Sequence, residues 1–372
     1  LELNLQQILV EDAINIFGKI AQNWREKFKI PVIAITGSNG KTSTKELLSH
    51  VLSQKYKVHV TKGNYNTNLG LSLTLLELND SHDVSIIEMG ASLPGEIEAL
   101  CKIATPTHGL ITNIAPAHLE GFGSIRNIVF EKAALFRSIK TGICFVNNTD
   151  KHIVDMPITS EKITFGLTPN CDFSADIYHE NDGTLTLILN TDVIPTKSYN
   201  LSFLKNSIAV ITIAKVLDVE LTTIISQIQS FKTPPGRCQV KQIDDVTVID
   251  DTYNANLTST LAALEYLNAF SGNGKKIFVF GDMLELGSSS NEQHKRIGEK
   301  CSELELNIVY TIGKETKHTD SAIKKGLKHK HFESKKRLIE SIKNILSPGD
   351  KILFKGSRSM NMEHIISGVF EL

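Results

Sequence analysis

At 372 residues the chain is longer than one ordinary hydrophobic core organises, so two or three domains are expected. Its 41% hydrophobic and 22% charged content is that of a soluble globular protein, and 40 basic against 41 acidic side chains leave no net field to draw nucleic acid or an anionic membrane. Phosphate binding, if present, must come from a local arrangement. Cys101, Cys144, Cys171, Cys238 and Cys301 are far apart and form no Cys-x-x-Cys pair, which points to a reducing compartment rather than a zinc or disulfide framework. No apolar run approaches the ~18 residues of a membrane span, so a cytoplasmic protein is expected. The first residue is Leu1 rather than Met, so upstream sequence is expected as well.

Residues 5 to 28 have the spacing of an amphipathic helix, with Ile8, Ile16, Ile20 and Trp24 on one face, ended by Lys29 and Pro31. The run from Pro31 to Thr36 predicts a buried parallel strand, and Lys45 to Lys57, with Leu47, Leu48, Val51 and Leu52 in one stripe, the helix after it. Val84 to Met89, Gly109 to Asn113 and Ile143 to Asn147 are further strands, separated by helical spacing over Pro94 to Ile103 and Ser124 to Ile139. Such alternation predicts a mostly parallel sheet covered by helices. From about 160 to 200 short alternating runs, among them Thr184 to Leu189 after Asn181-Asp-Gly183, predict a small antiparallel flap.

Lys232-Thr-Pro-Pro-Gly-Arg237 has linker composition, because two prolines and a glycine cannot continue a helix, and a domain boundary is placed there. A second alternating series follows, with strands at Val246 to Asp251, Lys276 to Gly281, Ile308 to Gly313 and Lys351 to Lys355. Ser290 and Gln293 form a candidate capping box.

The chemistry concentrates after the first strand. Gly37, Ser38, Asn39, Gly40, Lys41, Thr42 and Ser43 stand between a strand and a helix, the setting of a phosphate loop. Glycines let the backbone approach an anion, Lys41 reaches the β and γ phosphates, and the Thr42 hydroxyl holds Mg²⁺. The loop is shortened, since the usual earlier glycine is Ile35. Glu88 ends one strand and His118 follows another, where ligands sit in open α/β sheets; taken singly they read as a solvated strand end and a loop or core histidine. Asn64, Asn66 and Asn68 alternate along a turn-rich loop and offer carboxamides on one side of it.

Five runs occur in the order and spacing of the Mur ligases, and the chain resembles that family from about residue 30 to its end. They are Thr36 to Thr42, the asparagine loop to Gly70, Ile87 to Gly90, Thr112 to Glu120 and Glu131 to Phe136. Within the family, Asp250 to Asn256, Gly281 to Gly287 and Lys355 to Arg358 are similar to marks of the ligases that add D-alanyl-D-alanine to UDP-N-acetylmuramoyl-tripeptide. The resemblance implies a remnant of a UDP-substrate domain over 1–29. It then implies a phosphate-loop α/β domain over 30–232 and a Rossmann-like C-terminal domain over 233–372.

The resemblance further implies ATP and two Mg²⁺ as cofactors, with Thr42 and Glu88 on one cation and His118 and Lys132 on the other. Lys132 would be carbamylated by CO₂; from the residues alone it reads as a solvated helix lysine. Lys41, Glu88, His118 and Lys132 would carry catalysis. Asn206, Arg237, Asp251 and Asn254 would contact the nucleotide. Asn66, Thr67, Asn68, Asp282, Ser357 and Arg358 would contact the substrates. Ser202-Phe203 replace the family's His-Asn pair, and Leu257 replaces a proline. The implied reaction passes the γ-phosphoryl group to a carboxylate and then lets an amine attack the acyl phosphate, in a monomer without nucleic-acid or membrane partners. A folate polyglutamyl ligase and a non-catalytic ATP-binding protein remain as rivals; the Gly281 to Gly287 run speaks against the first, and Glu88, His118 and Lys132 together speak against the second.

Overall fold

Asp12 decides where the first helix begins. In the computed structural model, which describes residues 9–371, its carboxylate accepts the Asn15 amide and α1 (Ala13–Arg25) starts behind it. The helix expected over 5 to 28 is therefore shorter at both ends. Residues 5 to 8, with Ile8, lie outside the described residues, and past Arg25 the backbone leaves in turns while the Arg25 guanidinium donates to the carbonyls of Phe28 and Ala104.

β1 (Val32–Thr36) is buried at all five positions. After it come α2 (Lys41–Leu52), β2 (Val58–Val60), α3 (Asn68–Leu76), β3 (Val84–Glu88), α4 (Glu96–Ala104) and β4 (His108–Ile111). These strands pair in parallel in the order β2-β3-β1-β4. Because β3 and β4 flank β1 on opposite sides, a crevice opens at the carboxyl ends of the three. α5 (Leu119–Phe122), α6 (Ile125–Ser138), β5 (Ile143–Asn147), α7 (Lys151–Val154) and β6 (Glu161–Gly166) extend the sheet. β7 (Phe173–His179), β8 (Leu185–Leu189) and β9 (Asp192–Ser198) complete nine strands. They are the expected antiparallel flap, turned at Gly183 with φ +85°, but it starts at β7 and not near 160, because β6 pairs in parallel with β5 and extends the main sheet. α8 (Leu201–Val216) and α9 (Leu221–Ser230) pack with α2 on one sheet face, around Ile33 and Ile35. Val32 and Ala34 point to the other face, into a core shared with α1, α3, α4 and α6.

The second sheet is built from β10 (Gln239–Ile243), β11 (Val246–Asp251), α10 (Leu257–Ala269), β12 (Lys276–Gly281), α11 (Ser290–Glu303), β13 (Ile308–Ile312), α12 (Thr316–Ala322), β14 (Lys328–Phe332), α13 (Lys335–Lys343), β15 (Lys351–Lys355) and α14 (Glu363–Phe370). Strand order is β10-β11-β15-β12-β13-β14, parallel except for β10. β2, β10 and β14 were not expected, and all three are sheet edges, where one side needs no apolar residue. The capping box expected at Ser290 does not form. Ser290 lies inside α11 and donates to Glu315, while the Gln293 amide donates to Ser289 Oγ. Asn256 and Ser259 make the reciprocal pair instead, at the start of α10.

His59 on β2 is 4% exposed, with Nε2 on the Thr74 carbonyl and Nδ1 on the Ser85 hydroxyl. Donation to the carbonyl fixes the Nε2–H form, so Nδ1 accepts from Ser85, and burial lowers the His59 pKa to about 4. Between about 4 and the ordinary 6.5 the unfolded chain holds the extra proton, so stability falls as pH drops through this window. From pH 7 to pH 5 the loss from this residue is about 2 kcal/mol. His59→Gln should lose about 2 kcal/mol less than wild type over that interval in urea unfolding; equal losses would refute the assignment.

Candidate active site

The chain leaves β1 at Thr36, whose hydroxyl donates to the Met89 carbonyl at 2.9 Å. Gly37 then takes φ +141°, and a Cβ there would lie 2.0 Å from Thr112 Oγ1. Gly40 takes φ +80°, and a Cβ there would lie 2.7 Å from Asn206 Oδ1. Only glycine fits either place. The loop between them is braced against the exit of β4: Ser38 N–H donates to the Asn113 carbonyl at 2.9 Å, Asn39 N–H to Asn113 Oδ1 at 3.1 Å, and Thr112 Oγ1 to the Asn39 carbonyl at 2.6 Å. α2 begins at Lys41, one turn earlier than its apolar stripe suggests. Lys41, Thr42 and Ser43 therefore form the first helical turn, whose amides lack intrahelical acceptors and face an incoming anion. The Lys41 ammonium folds back onto the Gly37 carbonyl at 2.8 Å. Burial lowers its pKa, Glu88 opposes that, and Arg237 adds to it.

Glu88 is 1% exposed at the end of β3. Its Oε1 accepts from Asn66 Nδ2 at 2.8 Å; its Oε2 is buried with no hydrogen-bond partner. A buried carboxylate oxygen left unpaired is costly, and a hard cation is the partner it suits. Lys45, absent from the expected site, is fully buried beside it. Its Nζ donates to the Thr61 carbonyl at 2.6 Å, pairs with Glu46 at 2.8 Å and lies 3.9 Å from Glu88 Oε2. Lys45 follows Lys41 by four residues and so shares its helix face, a signal the apolar stripe hides.

Lys132 is not the solvated lysine its helical position suggests. It is 3% exposed, and burial, with the charge of Lys41 next, pulls its pKa down to about 7. Its neighbour Glu131 caps α4 by accepting the Gly95 and Ile97 amides, each at 2.6 Å. His118 has φ +52°, and its Nδ1 is hydrogen-bonded to Glu285 of the second half of the chain. Among the described residues no three His, Cys, Asp or Glu side chains form a metal cluster. A cation here would rest on single carboxylates, a hydroxyl and ligand oxygens, the manner in which Mg²⁺ is held beside phosphates. The orphan Glu88 oxygen and the Thr42 hydroxyl fit that role.

A cleft of about 950 Å³ gathers Lys41, Thr42, Glu88 and His118 with residues from the second sheet, while Lys45 and Lys132 are not among the residues that line it. Arg237 lies across it with its guanidinium carbon 3.8 Å from the Tyr253 ring centroid. Asp251 at the end of β11 accepts from buried Lys355 and, through Oδ1, from the Cys238 amide at 3.0 Å. Asn254 lines the same wall, and its carbonyl accepts from Lys355 at 3.0 Å. Asn206 sits against Gly40, so it touches the phosphate loop. Asn256 Nδ2 donates to Asn39 Oδ1 at 2.6 Å, bridging the two halves.

Of the expected substrate contacts, Asn66, Thr67, Ser357 and Arg358 line the cleft. Asn68 does not: it opens α3, and its Oδ1 lies beside Gly18 of α1, so the three asparagines do not share one side. Asp282 does not either. Its carboxylate is occupied by the amides of Lys314 at 2.8 Å, Glu315 at 3.0 Å and Thr316 at 2.8 Å, which caps α12. Ser357 Oγ accepts the Leu284 amide at 2.8 Å, and Arg358 is held by Glu363 at 2.6 Å.

Comparison with known proteins places this geometry. Residues 35–214 match the Mur ligase middle domain, and residues 236–358 match the family described as Mur ligase, glutamate ligase domain. A UDP-N-acetylmuramoyl-tripeptide–D-alanyl-D-alanine ligase of Bacillus subtilis is 32% identical over 98% of this chain and 81% of its own length. The crystal structure of MurF from Acinetobacter baumannii superposes with a TM-score of 0.91 at 30% identity, over 100% of this chain and 83% of that one. MurF from Thermotoga maritima, solved in complex with ADP, superposes with a TM-score of 0.86 at 29% identity, over 99% and 86%.

Gly37→Ala places a methyl group 2.0 Å from Thr112 Oγ1 at a φ that side chains rarely adopt. Affinity for ADP, read by calorimetry, should fall by at least roughly tenfold as the loop amides lose their aim. Unchanged affinity would remove the loop from the site.

Proposed function

The chain belongs to the Mur ligase family, and from that premise we infer that its cleft uses ATP to join D-alanyl-D-alanine to UDP-N-acetylmuramoyl-tripeptide. One observation carries the reading: Lys41, Glu88 and His118 line a single cleft whose opposite wall is Arg237, Asp251 and Asn254. The halves on either side act as separate bodies, 30–232 and 233–372, hinged at the Pro234-Pro235-Gly236 link. One copy of the chain supplies both walls, so a monomer suffices. Five free thiols suit a reducing cytoplasm.

The substrate carboxylate oxygen attacks the γ-phosphorus, the bond to the β-phosphate oxygen breaks, and ADP leaves. The dipeptide amine then attacks the acyl phosphate carbon, and inorganic phosphate departs. Both steps bring electron-rich groups together, so the barrier is largely repulsion. The first-turn amides of α2 hold the phosphates. Lys41 releases the Gly37 carbonyl and turns to the transferring group. Arg237 reaches the nucleotide from the other wall, with Asp251 and Asn254 beside it. Thr42 and Glu88 would hold one Mg²⁺ and His118 with Lys132 a second, and the cations when bound would neutralise the phosphate tail. Asn66, Thr67, Ser357 and Arg358 are the residues placed to meet the substrates.

Lys132 would hold its cation as a carbamate. Burial favours its neutral amine near pH 7, the form that attacks CO₂ with loss of a proton, and the product is an anionic oxygen ligand in place of a repelling ammonium.

ADP release from ATP should require UDP-muramoyl-tripeptide and D-alanyl-D-alanine together. Turnover with a lone amino acid would move the chain to another ligase of the family, and tight ATP binding without turnover would make it a binding protein. Lys132→Ala should lower kcat by roughly a hundredfold while ADP affinity stays within about threefold. With ¹³C-bicarbonate, wild type should show a carbamate resonance that the variant lacks; its absence from active wild type removes the carbamate.

A further inference from the structure

We propose that Glu285, carried by the second half of the chain, is a positioning residue that orients the His118 imidazole and does so only when the two halves are closed. The inference rests on the ligase reading of the cleft. Its geometry is a two-point clasp. The Glu285 carboxylate is bonded to His118 Nδ1, and the Glu285 carbonyl accepts the Glu120 amide at 3.1 Å. Both partners hold left-handed backbone, His118 at φ +52° and Glu285 at φ +61°. Non-glycine residues adopt that conformation at a cost, and it persists where surroundings hold it. Here each strained residue faces the other across the cleft.

Stability does not account for the pair. The Glu285 side chain is 59% exposed and that of His118 29%, and ion pairs so exposed contribute little to folding. A carboxylate on Nδ1 does something else: it takes the ring proton there, fixes the tautomer and leaves the Nε2 lone pair free for a cation. When the halves part, the carboxylate and the backbone contact leave together, and the ring is free to turn. Asn256 reaches Asn39 of the phosphate loop in the same way, at 2.6 Å. The second half thus touches both the loop and the histidine, and an open molecule presents neither in working order.

Glu285→Ala and Glu285→Gln test this. Mn²⁺ is titrated by electron paramagnetic resonance at saturating ADP, and kcat and KM for ATP are measured alongside. The alanine variant should bind Mn²⁺ at one site ten- to a hundredfold more weakly and lose kcat by a similar factor, with KM for ATP within about threefold. Glutamine should restore most of both, because its amide oxygen still accepts Nδ1–H. Wild-type Mn²⁺ affinity and kcat in the alanine variant would overturn the proposal, as would glutamine no better than alanine. Failure of wild type to ligate would sink the ligase reading instead, and the Mn²⁺ titration distinguishes the two.

Discussion

Unpaired charge at the carboxyl edge of the first sheet is the constraint around which the molecule is arranged. Glu88 has a buried oxygen with no hydrogen-bond partner, Lys132 is buried with its pKa pulled down to about 7, and the Lys41 ammonium rests on a backbone carbonyl. Folding alone selects against each of these. All three stand at that edge, where α2, β3 and α6 hold them rigid. The surrounding core makes that rigidity possible, since β1 is covered on both faces and cannot yield toward the charges it carries.

Much of this was legible from local chemistry. The phosphate loop announces itself by two glycines, a lysine and a threonine between a buried strand and a helix, and Val246–Asp251, Lys276–Gly281 and Lys351–Lys355 appear as strands with the expected ends. These are strands buried on both faces, where an apolar run leaves no other solution. β2, β10 and β14 escaped because an edge strand such as Lys-His-Lys-His-Phe buries little and carries no periodic signal. The α2 start was misjudged for a related reason, because its first turn, Lys41-Thr-Ser-Thr44, carries no apolar residue.

At the site, the residues misread and the residues missed alike have partners far away in sequence. Asp282 looks like loop polarity free to hold a ligand, yet three amides at the start of α12, beyond the next strand, take its carboxylate. Asn68 looks like the third of an alternating set, but helix α3 starts there and turns it toward α1. Lys45 gave no signal in its own surroundings, and Lys355 and Glu285 fall in runs that were singled out without a role for either residue. Their meaning lies in contacts with Glu88, Asp251 and His118, which are 43, 104 and 167 residues away in sequence.

Lys45 shows how the fold accommodates the buried Glu88 carboxylate. A buried carboxylate needs a cation nearby, but a lysine bonded directly to Glu88 would use up the one oxygen that has no hydrogen bond. The ammonium instead stands 3.9 Å from Oε2, tied to the Thr61 carbonyl and to Glu46, close enough to offset the charge and too far to hydrogen-bond it. The same anchor fixes the chain that carries Asn66, which holds Oε1. One oxygen is thereby aimed, and the fold tolerates the other without a hydrogen bond because the counter-charge sits one step behind it.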